Sequence, residues 1–413
     1  MKFKPLYVSA LVALMFSPLA MGKGDRSVDA VAEEAAQARL LPLKERLGRL
    51  LFNDANLSEP AGQSCASCHA VPFAFTDPNQ GTPTSQGVDP ALFGNRNSPS
   101  AAYAAFSPFF HYEESEGHYE GGQFWDGRAA TLEEQAKGPF LNPVEMANTS
   151  KLQVVRKVQV AGYSPLFMKV FGQDVFRDTE AAYDKIAEAI AAYERTRAFN
   201  RFTSKYDAWL AGKAMLSAQE RRGLELFERE DKGNCAACHP SRPANDDLHS
   251  PPLFTDFTYD NLGVPKNPHN PFYKMPAQFN PDGWKFVDRG LGGALNLASE
   301  DGKFKVPTLR NIALTAPYLH NGYFTTLKGV VDFYNTRDVK PACSKEFVSD
   351  VKALKKGCWP KAEVAENVNA DELGNLGLNE REVDDIVAFL HTLTDGWFHP
   401  AADSAEWPGK GKR

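Results

Sequence analysis

After residue 22 the sequence has no stretch of 18 uninterrupted apolar residues, which excludes a membrane-spanning helix from the remainder of the chain. It also lacks an excess of basic side chains. The formal net charge is −6 and becomes two units more negative without Lys2 and Lys4 of the leader described below, which argues against nucleic acid as a partner. Cysteine is scarce, six in 413 residues, and no second Cys/His pair stands at finger spacing to complete a zinc site.

Four of the six cysteines fall in two short motifs, Cys65-Ala66-Ser67-Cys68-His69 and Cys235-Ala236-Ala237-Cys238-His239. Each spaces two thiols on one turn to add across haem vinyl groups, while the adjacent imidazole reaches the iron. A thioredoxin-like redox pair would not require the histidine. Two motifs in one chain point to two covalently bound c-type haems, with Cys65, Cys68, His69, Cys235, Cys238 and His239 holding them. Cys343 and Cys358 remain. In an oxidising compartment they are expected to pair, the alternative being two free thiols, and closing that loop would contribute roughly 3 kcal/mol in the chain-entropy view.

Residues 1–22 carry Lys2 and Lys4, an apolar run from Leu6 to Ala20 and the small-residue end Ala20-Met21-Gly22. That is the pattern of a secretory signal peptide cleaved near Lys23. Haem attachment and leader together predict the bacterial periplasm. The length suits two domains, one per haem: 23–205 and 206–400, followed by a polar tail, 401–413.

An internal repeat appears when the haem motifs are aligned. Glu45-Arg46-Leu47-Gly48-Arg49-Leu50-Leu51-Phe52 precedes the first and Glu220-Arg221-Arg222-Gly223-Leu224-Glu225-Leu226-Phe227 the second. Phe-Thr-Asp follows each, at 75–77 and 254–256. Asp126-Gly127 with Thr131-Leu132 then matches Asn321-Gly322 with Thr326-Leu327 without a gap. The periodicity predicts helices over much of 28–53, over 179–197 with Ala182, Ile186, Ile190 and Tyr193 on one face, from the capping box Ser217/Glu220, and from Asn379 onward. Segments 70–125 and 240–305, rich in Pro, Gly, Asn and Asp, read as haem-wrapping loops without strands. The fold class is therefore all-α: two cytochrome c-type helical domains from a duplication.

The repeat is most informative where its halves disagree. Seven residues on from Leu132 stands Pro139; seven on from Leu327 stands Tyr334. A phenolate oxygen binds iron, whereas proline offers no side-chain donor. If this position faces the distal side of each haem, the second haem is six-coordinate and the first is open.

The stretches Gln123-Phe124-Trp125-Asp126-Gly127-Arg128, Gly138-Pro139-x-Leu141-Asn142-Pro143-x-Glu145-Met146 and Val306-Pro307-Thr308-Leu309-Arg310-Asn311 resemble the bacterial di-haem cytochrome c peroxidase family across nearly the whole mature chain. Tyr334, where that family usually has Met, resembles its MauG-like branch; Met275 is the rival ligand. The resemblance implies that Glu145 exchanges the protons of peroxide cleavage, that Gln135 neighbours it, and that Trp125 lies between the haems. It also implies an interhaem calcium held by Asn97 and the carbonyls of Thr315 and Pro317, carbonyl and amide oxygens suiting that hard cation. The loop that supplies a closing histidine in common family members has none here between Ala70 and Phe110, with His111 and His118 as substitutes or as solvated loop residues. The N-terminal haem is thus expected to be permanently open.

Three functions compete. The first is reduction of hydrogen peroxide with electrons from a small periplasmic cytochrome c or copper protein. The second is a protein-modifying oxidase that stores two oxidising equivalents across both haems, favoured by Tyr334 but opposed by Gly233, which replaces the aromatic that MauG-like relatives carry two places before the second haem motif. The third is an electron-transfer cytochrome without turnover. A homodimer is left open.

Overall fold

Each half of the chain closes around two crossing helices, one leading into its haem motif and one ending the half. The computed structural model describes residues 28–242, 251–345 and 348–397, so the leader 1–22 and the tail 401–413 lie outside the described residues. The described residues from Pro42 onward form one compact unit.

In the first half, helix α1 (Val28–Phe52) turns Leu47, Leu51 and Phe52 inward. The one-turn helix α2 (Cys65–Cys68) carries the first motif; α3 (Leu132–Leu141), α4 (Lys151–Val160), α5 (Ser164–Phe171) and α6 (Thr179–Glu194) follow. Asp178 starts α6 by accepting the amides of Glu180 and Ala181, which would otherwise lack partners. Ala182, Ile186 and Ile190 then pack on Leu47, Val154, Val158 and Phe167 in one core. Each fully buried Phe, Leu or Ile contributes about 1.5–3 kcal/mol.

The second half repeats the plan with α7 (Lys205–Leu210), α8 (Ala218–Glu228), α9 (Gly290–Leu295), α10 (Leu327–Thr336), α11 (Asp350–Lys356) and α12 (Glu380–His391). Capping boxes at Ser217/Glu220 and Asn379/Glu382 start α8 and α12 as expected. Phe227, Val383, Ile386 and Phe389 form the second core. A disulfide joins Cys343 to Cys358.

The duplication is visible in the closest helix contacts. A Cβ on Gly48 would stand 1.9 Å from the carbonyl oxygen of Ala189 in α6, and one on Gly223 would stand 2.0 Å from that of Asp385 in α12. These glycines occupy equivalent positions in the repeat, so both halves use the missing side chain to bring backbones together. Between the cores, Arg310 is fully buried against Asp207, at 2.9 and 3.1 Å, and its guanidinium lies over the rings of Tyr103 and Phe202 from one half and Phe254 from the other. Removing either partner of such a pair typically costs roughly 3–5 kcal/mol, because a buried charge is left alone.

The fold is mostly helical, as the periodicity predicts, with one correction. The segments read as strand-free loops carry two short antiparallel pairs. His111–Glu113 (β1) pairs with His118–Glu120 (β2), and Tyr259–Asp260 (β3) with Phe304–Lys305 (β4). Strands of two or three residues leave no measurable alternation in sequence, and these are held by the neighbouring loops: the amide of Lys305 donates to the carbonyl of Trp125, and that of Gly121 to Phe257.

Candidate haem sites

The Cys-x-x-Cys turns are built alike. In α2 the Ser64/Ser67 capping box winds one turn that sets Cys65 and Cys68 along one cavity, and the His69 amide donates to the Cys65 carbonyl at 2.9 Å. The second motif forms a tight turn over Cys235–Ala237, with the His239 amide on the Cys235 carbonyl at 2.9 Å. In both, Nδ1 of the histidine lies on the carbonyl of the following Phe-Thr-Asp motif: His69 on Phe75 at 2.9 Å and His239 on Phe254 at 2.8 Å. A carbonyl only accepts, so Nδ1 carries the hydrogen and Nε2 keeps its lone pair for a metal. Phe75 and Phe254 both adopt left-handed backbone, φ 60° and 55°, which aims those carbonyls. Burial pulls His69 below its ordinary value and His239 down to about 4, so both rings are neutral, as iron ligation requires. The donor set of each cavity therefore fits a c-type haem.

Around the first cavity the structure gathers Cys65, Cys68 and His69 with Gln135, Pro139 and Glu145. Thr131 caps α3 and fixes which residues face inward, and Pro139 is the eighth residue of the helix. Glu145 takes a 2.8 Å hydrogen bond from the Asn142 amide. Burial raises its pKa, against lowering by the Arg128 charge and the Asn142 bond. His111 and His118 lie on the β1–β2 hairpin and line no part of this cavity.

The second cavity is lined by Cys235, His239 and Tyr334. Thr326 caps α10 as Thr131 caps α3, and Tyr334 is its eighth residue. Burial first, then the neighbouring Cys235 and Cys238, push its phenol far above the ordinary value. A phenolate at this place thus needs a cation beside it. Met275 instead packs with Leu92, Phe272 and Tyr273 and does not line the cavities beside Cys235.

Trp125 lines both the first cavity and the second, and its indole Nε1 donates to the Asn97 carbonyl at 2.9 Å. Asn97, Thr315 and Pro317 share one cavity wall, although the Asn97 amide nitrogen donates to the Pro83 carbonyl and the Thr315 hydroxyl to that of Ile312. Among the described residues, one group of three His, Cys, Asp or Glu side chains converges within ligand distance, Cys238, Asp260 and Glu372; haem attachment consumes the cysteine and leaves two carboxylates.

Sequence reading missed several cavity residues. Glu194, 5% exposed, lines the first cavity with Oε2 unpartnered, and burial pushes it up to about 8. Its signal was available: it stands four residues after Ile190 and eight after Ile186, in the apolar register of α6. Lys305 lines the second cavity, and desolvation pulls it down to about 7 despite Asp126. His320 stacks on Phe304 with centroids 3.6 Å apart and its Nε2 unpartnered. Arg96 bridges Asp126 and Asp288 at 2.6 and 2.7 Å. No local pattern marks these.

Fold and sites together define a two-haem, c-type redox protein. The profile of the di-haem cytochrome c peroxidase family matches residues 42–215. The methylamine utilization protein MauG of Paracoccus denitrificans is 39% identical over 366 residues, covering 87% of this chain and 90% of that protein. The cytochrome c551 peroxidase of Pseudomonas aeruginosa is 32% identical over 328 residues, covering 78% and 82%. Among solved structures, the diheme peroxidase BthA of Burkholderia thailandensis superposes with a TM-score of 0.74 at 34% identity, covering 86% of each chain. The chain belongs to the di-haem cytochrome c peroxidase family, and it is an oxidoreductase carrying two covalently bound haems.

Proposed function

We propose that the protein is a periplasmic peroxidase that reduces hydrogen peroxide to water at the N-terminal haem, with electrons entering through a C-terminal haem held by His239 and Tyr334. The observation that carries this reading is the shared helix register that sets Pro139 in one cavity and Tyr334 in the other. Cys65, Cys68 and His69 would hold the haem in the first cavity, and it would supply the redox chemistry that splits the O–O bond. Glu145 supplies the proton movement, taking one from the incoming peroxide and returning it to the departing oxygen, while Asn142 orients its carboxyl. Pro139 keeps a donor atom out of the space that peroxide must enter, and the Gln135 amide offers peroxide a hydrogen-bond partner. Trp125 passes electrons between the cavities. Each peroxide takes two electrons and two protons and yields two waters.

Domains 23–205 and 206–400 divide this labour. Calcium at Asn97, Thr315 and Pro317 would brace the wall between the haems, so chelation should lower turnover and added calcium restore it. The main test is steady-state peroxide reduction by the haem-loaded protein with a reduced small cytochrome or copper protein. Sustained, peroxide-dependent donor oxidation is expected, and its absence with every such donor would reject the peroxidase reading.

Tyr334 and the 39% identity to MauG favour a second reading, a protein-modifying oxidase that stores two oxidising equivalents. Gly233 opposes it, since no aromatic ring stands at that place for outward charge transfer. An oxidised state that outlives peroxide by minutes without a donor would favour this reading over the first.

A further inference from the structure

The β1–β2 hairpin lines neither haem cavity, yet it carries an aromatic ladder. Tyr112 near its tip is 43% exposed. Its ring lies 4.9 Å from that of Tyr119, which stacks on Phe110 at 5.5 Å and 5°, and Phe110 meets the buried ring of Tyr259 edge-on at 6.0 Å. All three separations lie within ordinary aromatic contact. The inner end reaches the haem wall. Tyr259 stands opposite Lys305 in the β3–β4 pair, and the Lys305 amide donates to the carbonyl of Trp125, which lines both cavities. Phe110 and Tyr259 also close on Gly127, two residues beyond Trp125; a Cβ there would come within 2.8 Å of both.

The outer end has one sign of charge. Between Phe106 and Gln123 there are four glutamates, 113, 114, 116 and 120, and no lysine or arginine. Hydrogen bonds from Ser115 hold Glu113 below its ordinary value, so it stays ionised. Phe109, 65% exposed, adds an apolar contact beside these carboxylates.

We propose that this hairpin is the docking surface for a small, lysine-faced electron-donor protein, and that Tyr112 and Tyr119 carry its electrons inward past Phe110 and Tyr259 to the wall of the C-terminal haem cavity, which Lys305 and Trp125 line, so that they enter the enzyme at that haem. The proposal rests on the peroxidase reading and gives it a partner and an entry point. In each transfer Tyr119 gives one electron inward and its phenol proton to solvent, and regains both as the donor is oxidised by one electron through Tyr112. Two such transfers, with two solvent protons, convert one hydrogen peroxide to two waters.

The test uses the haem-loaded protein, hydrogen peroxide and two reductants: reduced mitochondrial-type cytochrome c as the lysine-faced probe, and ferrocyanide as a small one. The double variant Tyr112→Phe/Tyr119→Phe should oxidise the cytochrome about tenfold more slowly, equivalent to roughly 1.4 kcal/mol of barrier, with ferrocyanide turnover within about twofold of wild type. Replacing the four glutamates by glutamine should raise the cytochrome KM by about tenfold and flatten its dependence on salt. Freeze-quenched wild type given peroxide without donor should show a tyrosyl radical signal that the double variant lacks. Unchanged cytochrome oxidation in the double variant, or a wild type that turns over ferrocyanide but not the cytochrome, overturns the proposal. A wild type that consumes peroxide with neither reductant overturns the peroxidase reading itself, and the proposal with it.

Discussion

Helices α3 and α10 start from the same threonine cap, run for ten residues each and set their eighth residue beside a Cys-x-x-Cys-His motif, yet that residue is Pro139 in one and Tyr334 in the other. Six residues on, Glu145 in the first half is answered by Lys340 in the second. Glu145 stands at a cavity with a raised pKa, and Lys340 is tied to Asp332. The two halves thus share the register of α3 and α10 and the close helix contacts at Gly48 and Gly223, while a few side chains at equivalent positions differ. Under the proposed reading, one half receives peroxide and the other stores and passes electrons.

The largest expected effect lies with Glu145. Glu145→Gln should lower peroxide turnover by roughly 10²–10⁴-fold with both haem spectra retained, whereas Lys340→Met should leave turnover near wild type. The sign of the pH dependence follows from burial. The raised pKa means that Glu145 gains its charge only above the ordinary glutamate range, so turnover should rise with pH through that raised value, and the Gln variant should lose this limb. Turnover within about threefold of wild type in Glu145→Gln would remove this carboxyl from the mechanism.

Tyr334→Met should act on the other half alone. A phenolate favours ferric iron, so its loss should raise the C-terminal potential by on the order of 100 mV and leave the N-terminal one nearly unmoved. Spectroelectrochemistry reads both. An unchanged C-terminal potential would mean that another residue holds the iron.

Gly48→Ala and Gly223→Ala test whether the scaffolds are equivalent. Each new Cβ would collide with a helix carbonyl at about the same distance, so each should destabilise by roughly 2 kcal/mol in chemical denaturation. A large cost at one glycine and none at the other would show that the repeat no longer shares its central contact.

Much of this arrangement could be read from local pattern. The haem motifs, the caps at Ser217 and Asn379 and the stripe Ala182, Ile186, Ile190 each express their physics within a few residues, and the structure has those helices where the pattern puts them. The register that separates Pro139 from Tyr334 was legible because no gap interrupts the repeat. What escaped was tertiary. The β1–β2 hairpin is three residues per strand, too short to alternate. Lys305 and Arg310 acquire their surroundings from segments far away in sequence, Asp126 for one and Asp207 for the other. Glu194 announced itself only as a charge in an apolar register.

Glu194 yields the smallest effect. Folded, it holds its proton up to about 8, while an ordinary glutamate releases it near 4.5. The folded state therefore binds the extra proton between those values, and stability falls as pH rises through that window and levels above it. Glu194→Gln removes this slope, so its melting temperature should gain on wild type from pH 5 to pH 8. Parallel curves would mean that the carboxyl is ionised in the folded protein.

The difference between Pro139 and Tyr334 is tested most directly by electron paramagnetic resonance on the fully oxidised, haem-loaded protein. An open N-terminal site and a tyrosine-held C-terminal site should give one high-spin and one low-spin ferric signal, with peroxide reacting at once and no prior reduction. Two low-spin signals, with no reaction until one electron is added, would contradict it.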